Sequence, residues 1–145
     1  MMNIGWIESK KVEFKYYYDG ITPSIGAFLE KMDVERQRIA KEYGFAIESV
    51  KDWLNRSYHS KGSTLYECIR NTEAYKEIDA PSSLNTRYIF EDIPNGLVPI
   101  EALGKEKNIE TPAISLIIEL ASMVMEKDYR SIGRNYSSSI LNEYF

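Results

Sequence analysis

Asn85-Thr86-Arg87-Tyr88-Ile89-Phe90-Glu91-Asp92-Ile93-Pro94-Asn95-Gly96-Leu97-Val98-Pro99 sets a guanidinium five residues before a carboxylate, then interrupts the chain with Pro94 and Asn95-Gly96. Arg87 is permanently charged, and its planar fork fits a carboxylate through two parallel hydrogen bonds. Asp92 is an acceptor able to orient a second group such as an imidazole. In one continuous helix five residues turn through about 500°, which leaves the two side chains roughly 140° apart. They share a site only where the helix ends between them. Pro94 predicts such an end, because its ring biases Ile93 away from helical dihedrals. Two structural readings stand beside this one. Arg87 and Glu91 are four apart and suit a surface ion pair. Asp92 suits the cap of a helix that Pro94 opens.

Upstream, Thr22 reads as an N-cap with Pro23 at the first helical position. The helix runs to about residue 43, where Gly44 supplies a left-handed stop. Ile25, Phe28, Leu29, Met32, Ile39, Ala40 and Tyr43 give it an apolar face, and Asp33-Val34-Glu35-Arg36 reads as a solvated one. Before it, Val12, Phe14, Tyr16 and Tyr18 alternate with Lys11, Glu13, Lys15 and Tyr17. Period two predicts a short strand or extended arm, with residues 4–8 as its partner and Asp19-Gly20 as its end. A second helix is expected over residues 47–58, burying Val50, Trp53 and Leu54. Gly62-Ser63-Thr64 breaks and caps again. A third helix follows through Leu65, Cys68 and Ile69 and continues through Ala74 and Tyr75. Residues 80–83 read as a linker.

Downstream, residues 95–107 read as a helix with Leu97, Val98 and Leu103 inward and Pro99 in the first turn. Thr111-Pro112 repeats the cap-plus-proline start. Residues 113–125 are apolar almost all round and read as a buried helix, inside the domain or partly at a subunit interface, which admits a homodimer. With 13 residues and Glu119 among them, the run is too short and too charged for a bilayer span. Residues 129–145 are amphipathic but serine-rich and predict a short or frayed helix. The pattern is all-α, a helical bundle with a short extended or hairpin segment at the N-terminus.

A chain of 145 residues fits one domain spanning 1–145, and 43% hydrophobic content supports a packed core. The net charge of −4, with signs mixed along the chain, argues against a nucleic-acid partner. The single Cys68 excludes an internal disulfide, has no metal-ligand spacing around it, and falls on an apolar helical face. No basic-then-apolar leader opens the sequence, so the cytoplasm is the default.

The run Thr86-Arg87-Tyr88, Glu91-Asp92-Ile93-Pro94 and Gly96-Leu97-Val98-Pro99 resembles the signature of the opine dehydrogenases of the octopine/nopaline type, in their C-terminal helical domain. Other segments agree in order: Tyr18-Asp19-Gly20-Ile21-Thr22-Pro23-Ser24, Asp33-Val34-Glu35-Arg36 with Ile39-Ala40, Asn71 with Ala74-Tyr75, Ala80-Pro81, and Leu103-Gly104 with Thr111-Pro112. The resemblance covers about residues 3–125. It implies an oxidoreductase acting on CH–NH donors, which uses NADH or NADPH to condense an amino acid with a 2-oxo acid such as pyruvate. By the same resemblance Arg87 binds a substrate carboxylate and Asp92 partners a catalytic histidine. Thr22 and Ser24, at a helix N-terminus that favours anions, are candidate substrate contacts, with capping as their alternative.

The departures matter as much. No Gly-x-Gly-x-x-Gly fingerprint appears anywhere, so no cofactor site is expected within this chain. The only histidine, His59, sits in a polar loop and does not match the family's upstream His-Pro. The chain therefore reads as the substrate half of an enzyme, a truncated piece or a naturally short product, inactive alone and paired with a missing nucleotide-binding domain. The competing reading is a non-enzymatic helical module for oligomerisation or ligand binding.

Overall fold

The computed structural model describes residues 1–9 and 13–134. The chain forms two compact units, one of Met2–Val34 and Ile47–Leu84, the other of Glu35–Ala46 and Asn85–Phe145 with Met1. Among the described residues every regular element is helical, and β pairing is confined to an isolated antiparallel bridge between Lys15 and Asp79.

In the first unit the expected hairpin is absent. Residues 4–8 belong to α1 (Ile4–Ser9), which starts as Asn3 O accepts from Trp6 N and Ile7 N at 3.1 and 3.0 Å. Val12 lies outside the described residues. The backbone at Phe14–Tyr16 pairs instead with residues 78–80, through Tyr16 N to Ile78 O at 2.7 Å and Ala80 N to Phe14 O at 2.9 Å. The extended piece that alternation predicts lasts only to Lys15: residues 16–20 turn instead, with Asp19 N on Lys15 O at 2.9 Å, and the pairing partner lies far along the chain. Trp6 of α1 stacks on Phe14 at 4.0 Å between ring centroids.

The long helix α2 (Pro23–Glu42) starts as read, with Thr22 Oγ1 accepting from Ile25 N at 3.4 Å, and Gly44 follows it at φ +83°. Helix α3 (Val50–Tyr58) begins later than expected, capped by Ser49. Trp53 stays 37% exposed where burial was expected, because the nine-residue helix commits only the Leu54 side to the core. Thr64 and Glu67 form a capping box on α4 (Leu65–Arg70), and the helix ends there; Glu73–Tyr75 is a separate 3₁₀ turn. Leu54, Leu65, Cys68 and Ile69 make the core, with Tyr17, Ile21, Leu29, Val50 and Tyr75 packed on it. Cys68 is 1% exposed, and burial pushes its thiol pKa up.

The second unit holds α5 (Arg87–Phe90), a π turn (Ile93–Leu97), α6 (Val98–Glu106), α7 (Pro112–Met125) and α8 (Tyr129–Ile132). Ala113, Ile114, Ile117, Ile118 and Ala121 bury one side of α7, whereas Leu116 and Met123 are 56% and 69% exposed. The helix is thus half-buried, not buried all round: its spacing puts Leu116 and Met123 seven apart on a shared outer stripe. Residues 135–145 lie outside the described ones. Among the described residues no helix is long and apolar enough to cross a membrane.

Acidic residues of the long helix secure the starts of other helices. Glu30 accepts from Leu65 N at 2.6 Å, at the start of α4. Asp33 accepts from Val50 N at 2.9 Å, at the start of α3. Glu35 accepts from Ala113 N and Ile114 N at 2.8 and 2.9 Å, at the start of α7, whose own cap residue Thr111 makes no capping bond. Asp33 and Glu35 are 8% and 5% exposed, so the solvated face read from the sequence is overturned at these two positions. Helix N-termini carry unpaired N–H groups and partial positive charge, and carboxylates satisfy both.

Candidate functional site

Thr86 opens α5 with extended backbone, and Arg87 is its first helical residue. The helix lasts one turn. Glu91 caps its end at φ −110° and ψ −55°, with its N–H on Arg87 O. So the helix does end between Arg87 and Asp92. It does not stay ended: Asp92 returns to helical dihedrals at φ −68° and ψ −32° and leads straight into the π turn. Pro94 and Asn95-Gly96 therefore widen the helix instead of breaking it. Proline lacks the N–H that an α turn would use, and Val98 N reaches back to Ile93 O, one residue further than in an α-helix.

Both charged residues of the motif are exposed. Arg87 Nε donates to Glu91 Oε2 at 2.8 Å, the ion pair that the spacing allowed. This hydrogen bond, and after it the charges of Glu91 and Asp92, raises the guanidinium pKa above its ordinary value. Among the described residues the terminal nitrogens of Arg87 have no hydrogen-bond partner. Asp92 makes no capping bond, and no described residue donates to its carboxylate. The arrangement is an oriented cation whose two terminal nitrogens bond no described residue and, near enough to act on its charge, a carboxylate that accepts from no described residue.

Arg87 and Asp92 belong to one unit, Thr22 and Ser24 to the other. Thr22 is exposed and caps α2; Ser24 is exposed in the first turn of that helix. His59 is exposed and ends α3 in the left-handed region at φ +55°, its N–H on Leu54 O.

A second polar cluster escaped the sequence reading. Glu101 is 2% exposed and accepts from Arg130 Nε and Nη2 at 2.8 and 2.9 Å, from Lys105 Nζ at 2.7 Å and from Ser115 Oγ at 2.6 Å. Arg130 also reaches Glu119 at 2.7 Å. These bonds, Arg130's first, hold the Glu101 carboxyl down at about 2. Only the Glu101–Lys105 spacing is visible in the sequence; Arg130 lies 29 residues away.

Among the described residues no strand precedes a glycine-rich turn, and Gly26 and Gly104 sit inside helices. Nor do three or more His, Cys, Asp or Glu residues there gather as a metal would need.

A family model described as the α-helical domain of NAD/NADP octopine/nopaline dehydrogenases matches residues 1–125. The opine dehydrogenase of Arthrobacter sp. (strain 1C) is 44% identical over 121 residues, which are 83% of this chain and 34% of that protein. Protein ocs of Agrobacterium tumefaciens (strain Ach5) is 25% identical over 122 residues, 84% of this chain and 34% of that protein. An octopine dehydrogenase solved with NADH and L-arginine has the same fold over 86% of this chain and 37% of its own, with a TM-score of 0.66 at 19% identity. The chain thus spans about a third of the length of these relatives. The Arg87–Asp92 stretch falls inside the matched residues, and the chain belongs to the octopine/nopaline dehydrogenase family, in its α-helical domain.

Proposed function

We propose that residues 1–145 form the substrate domain of an NAD(P)H-dependent opine dehydrogenase-type oxidoreductase, which reductively condenses an amino acid with a 2-oxo acid such as pyruvate. The amine and the oxo carbon lose water to form an imine, and a hydride with one proton reduces it to a secondary amine. NAD(P)H supplies the hydride, and its site belongs to a nucleotide-binding domain outside residues 1–145. The enzyme works in the cytoplasm. One observation carries this reading: within the family-matched stretch, Arg87 and Asp92 are exposed and, among the described residues, keep unfilled hydrogen-bonding capacity.

Each residue has a role that its geometry supports. Glu91 takes only the Nε of Arg87, so the two terminal nitrogens remain for a substrate carboxylate. Fixing that carboxylate orients the adjacent carbon for attack. Asp92 holds a histidine supplied from outside this chain in one tautomer, readying it as general acid or base. Thr22 and Ser24 are further candidate contacts to substrate, on the strength of their exposed hydroxyls at a helix N-terminus.

The test joins this chain to the nucleotide-binding part of the Arthrobacter relative. In that full-length enzyme Arg87→Ala is expected to raise the KM of the oxo acid about ten- to a hundredfold, the worth of a charge-assisted pair. The isolated chain, given NADH, pyruvate and a panel of amino acids, is expected to leave the reduced-cofactor absorbance unchanged. An unchanged KM, or turnover by the isolated chain, overturns the reading.

A further inference from the structure

We propose that the segment from Tyr129 to Arg134, beyond the residues that the family model matches, is a strap that positions Asp92 by supplying the hydrogen bond that the π turn cannot make for itself. The inference rests on the role given to Asp92 above. It begins with an accounting of carbonyl groups. In an α-helix the carbonyl of Pro94 would accept from Val98 N, but Val98 N is used by Ile93 O. In the wider π pattern the donor would be residue 99. That residue is Pro99, which has no N–H. Two prolines five apart thus leave the Pro94 carbonyl without a partner inside its own helix, and Pro94 is buried. Buried carbonyls are almost always paired.

The partner comes from the end of the described chain. Arg134 N donates to Pro94 O at 2.9 Å. The approach is close enough to require glycine at the preceding position: a Cβ on Gly133 would lie 2.8 Å from Pro94 O, 2.7 Å from Tyr129 O and 2.8 Å from Val98 Cγ1. Two of those atoms are backbone and have no rotamer to turn away.

The strap is itself anchored. Tyr129 is 1% exposed, Asp128 caps α8 through Ser131 N at 3.1 Å, and Arg130 is clamped on Glu101 and Glu119. A fixed anchor, a glycine that permits close approach and one donor on one orphaned carbonyl together hold the turn that starts at Asp92. Arg87 lies in the preceding helix, outside the π turn, so the strap acts on Asp92 in preference to Arg87.

The test uses the full-length enzyme, with Gly133→Val. Circular dichroism and melting first establish that the variant is folded. We expect kcat to fall about ten- to a hundredfold, the scale of a 1 Å misplacement, while the KM of the oxo acid changes by less than about threefold. Pro99→Ala restores an N–H five residues after Pro94, and in the Gly133→Val background it is expected to recover part of the lost kcat. Removal of residues 127–145 should reproduce the kcat loss and show the same recovery. If Arg87→Ala and Asp92→Asn alter kinetics as assigned but Gly133→Val leaves kcat intact, or Pro99→Ala recovers nothing, the strap inference is overturned and the function stands. If neither Arg87→Ala nor Asp92→Asn has an effect, the functional reading falls and takes the inference with it.

Discussion

Two charged stretches of this molecule look alike in sequence and end in opposite situations. Asp33-Val34-Glu35-Arg36 lies on the long helix, and its two acids are buried against the first N–H groups of other helices, Asp33 on the next helix and Glu35 on one far along the chain. Arg87 to Asp92 lies on one turn of helix followed by a π turn, and its arginine and aspartate face solvent. The reading of residue types alone took the first stretch for solvated surface. The difference teaches where to look for chemistry in a helical domain. A carboxylate that saturates a helix N-terminus has spent its acceptors on the fold. A carboxylate and a guanidinium left partly unfilled at a helix discontinuity are available to a ligand.

The contrast is broken most sharply by Asp92→Asn in the full-length enzyme. In the role proposed for Asp92 an amide would favour the wrong tautomer of the histidine it holds, and turnover should drop by up to about 10⁴-fold, as in a hydrolase triad. The melting temperature should stay within about 2 °C, the range of surface changes. A large loss of stability would place Asp92 with the structural acids instead.

Glu35→Ala should do the reverse. It removes two charge-assisted bonds and leaves the N–H groups of Ala113 and Ile114 buried without partners. The expected loss is about 3 kcal/mol in urea unfolding, with any folded enzyme retaining its KM. A loss below about 0.5 kcal/mol, the scale of surface substitutions, would return Glu35 to the surface.

Glu101 sharpens the comparison through pH. Its folded carboxyl sits at about 2, below the ordinary 4.5. A depressed carboxylate stabilises the fold fully above about pH 4.5, and that contribution fades as pH falls toward 2. About 2–3 kcal/mol should be lost across this window. Glu101→Gln should flatten this acid limb of the stability curve, and an unaltered limb would show that the Arg130 clamp contributes nothing measurable.

Much was legible in the residues themselves, because it is local. Thr22-Pro23 opened α2, Gly44 followed its end, Thr64 capped α4 and Pro112 opened α7, each a matter of dihedrals and caps within a few residues, whereas the cap expected of Thr111 is supplied by Glu35 instead. The ordered motifs identified an all-helical family member, and the four-residue spacing of Arg87 and Glu91 announced their ion pair. Tertiary structure decided the rest, because the partners are distant. Glu35 finds its amides 78 and 79 residues away, and the backbone of Phe14 pairs with Ala80 while Trp6 of α1 meets only its ring. Pro94 reads as a helix break, and the structure overturns that: the chain stays helical from Asp92 through the π turn into α6. What keeps its turn helical is a wider register whose spare carbonyl is met by Arg134, and no pattern of neighbours along the chain encodes that meeting. Hydrophobic period and capping chemistry act over one or two turns, whereas the burial of a charge or a carbonyl is settled only by what the folded chain brings opposite it.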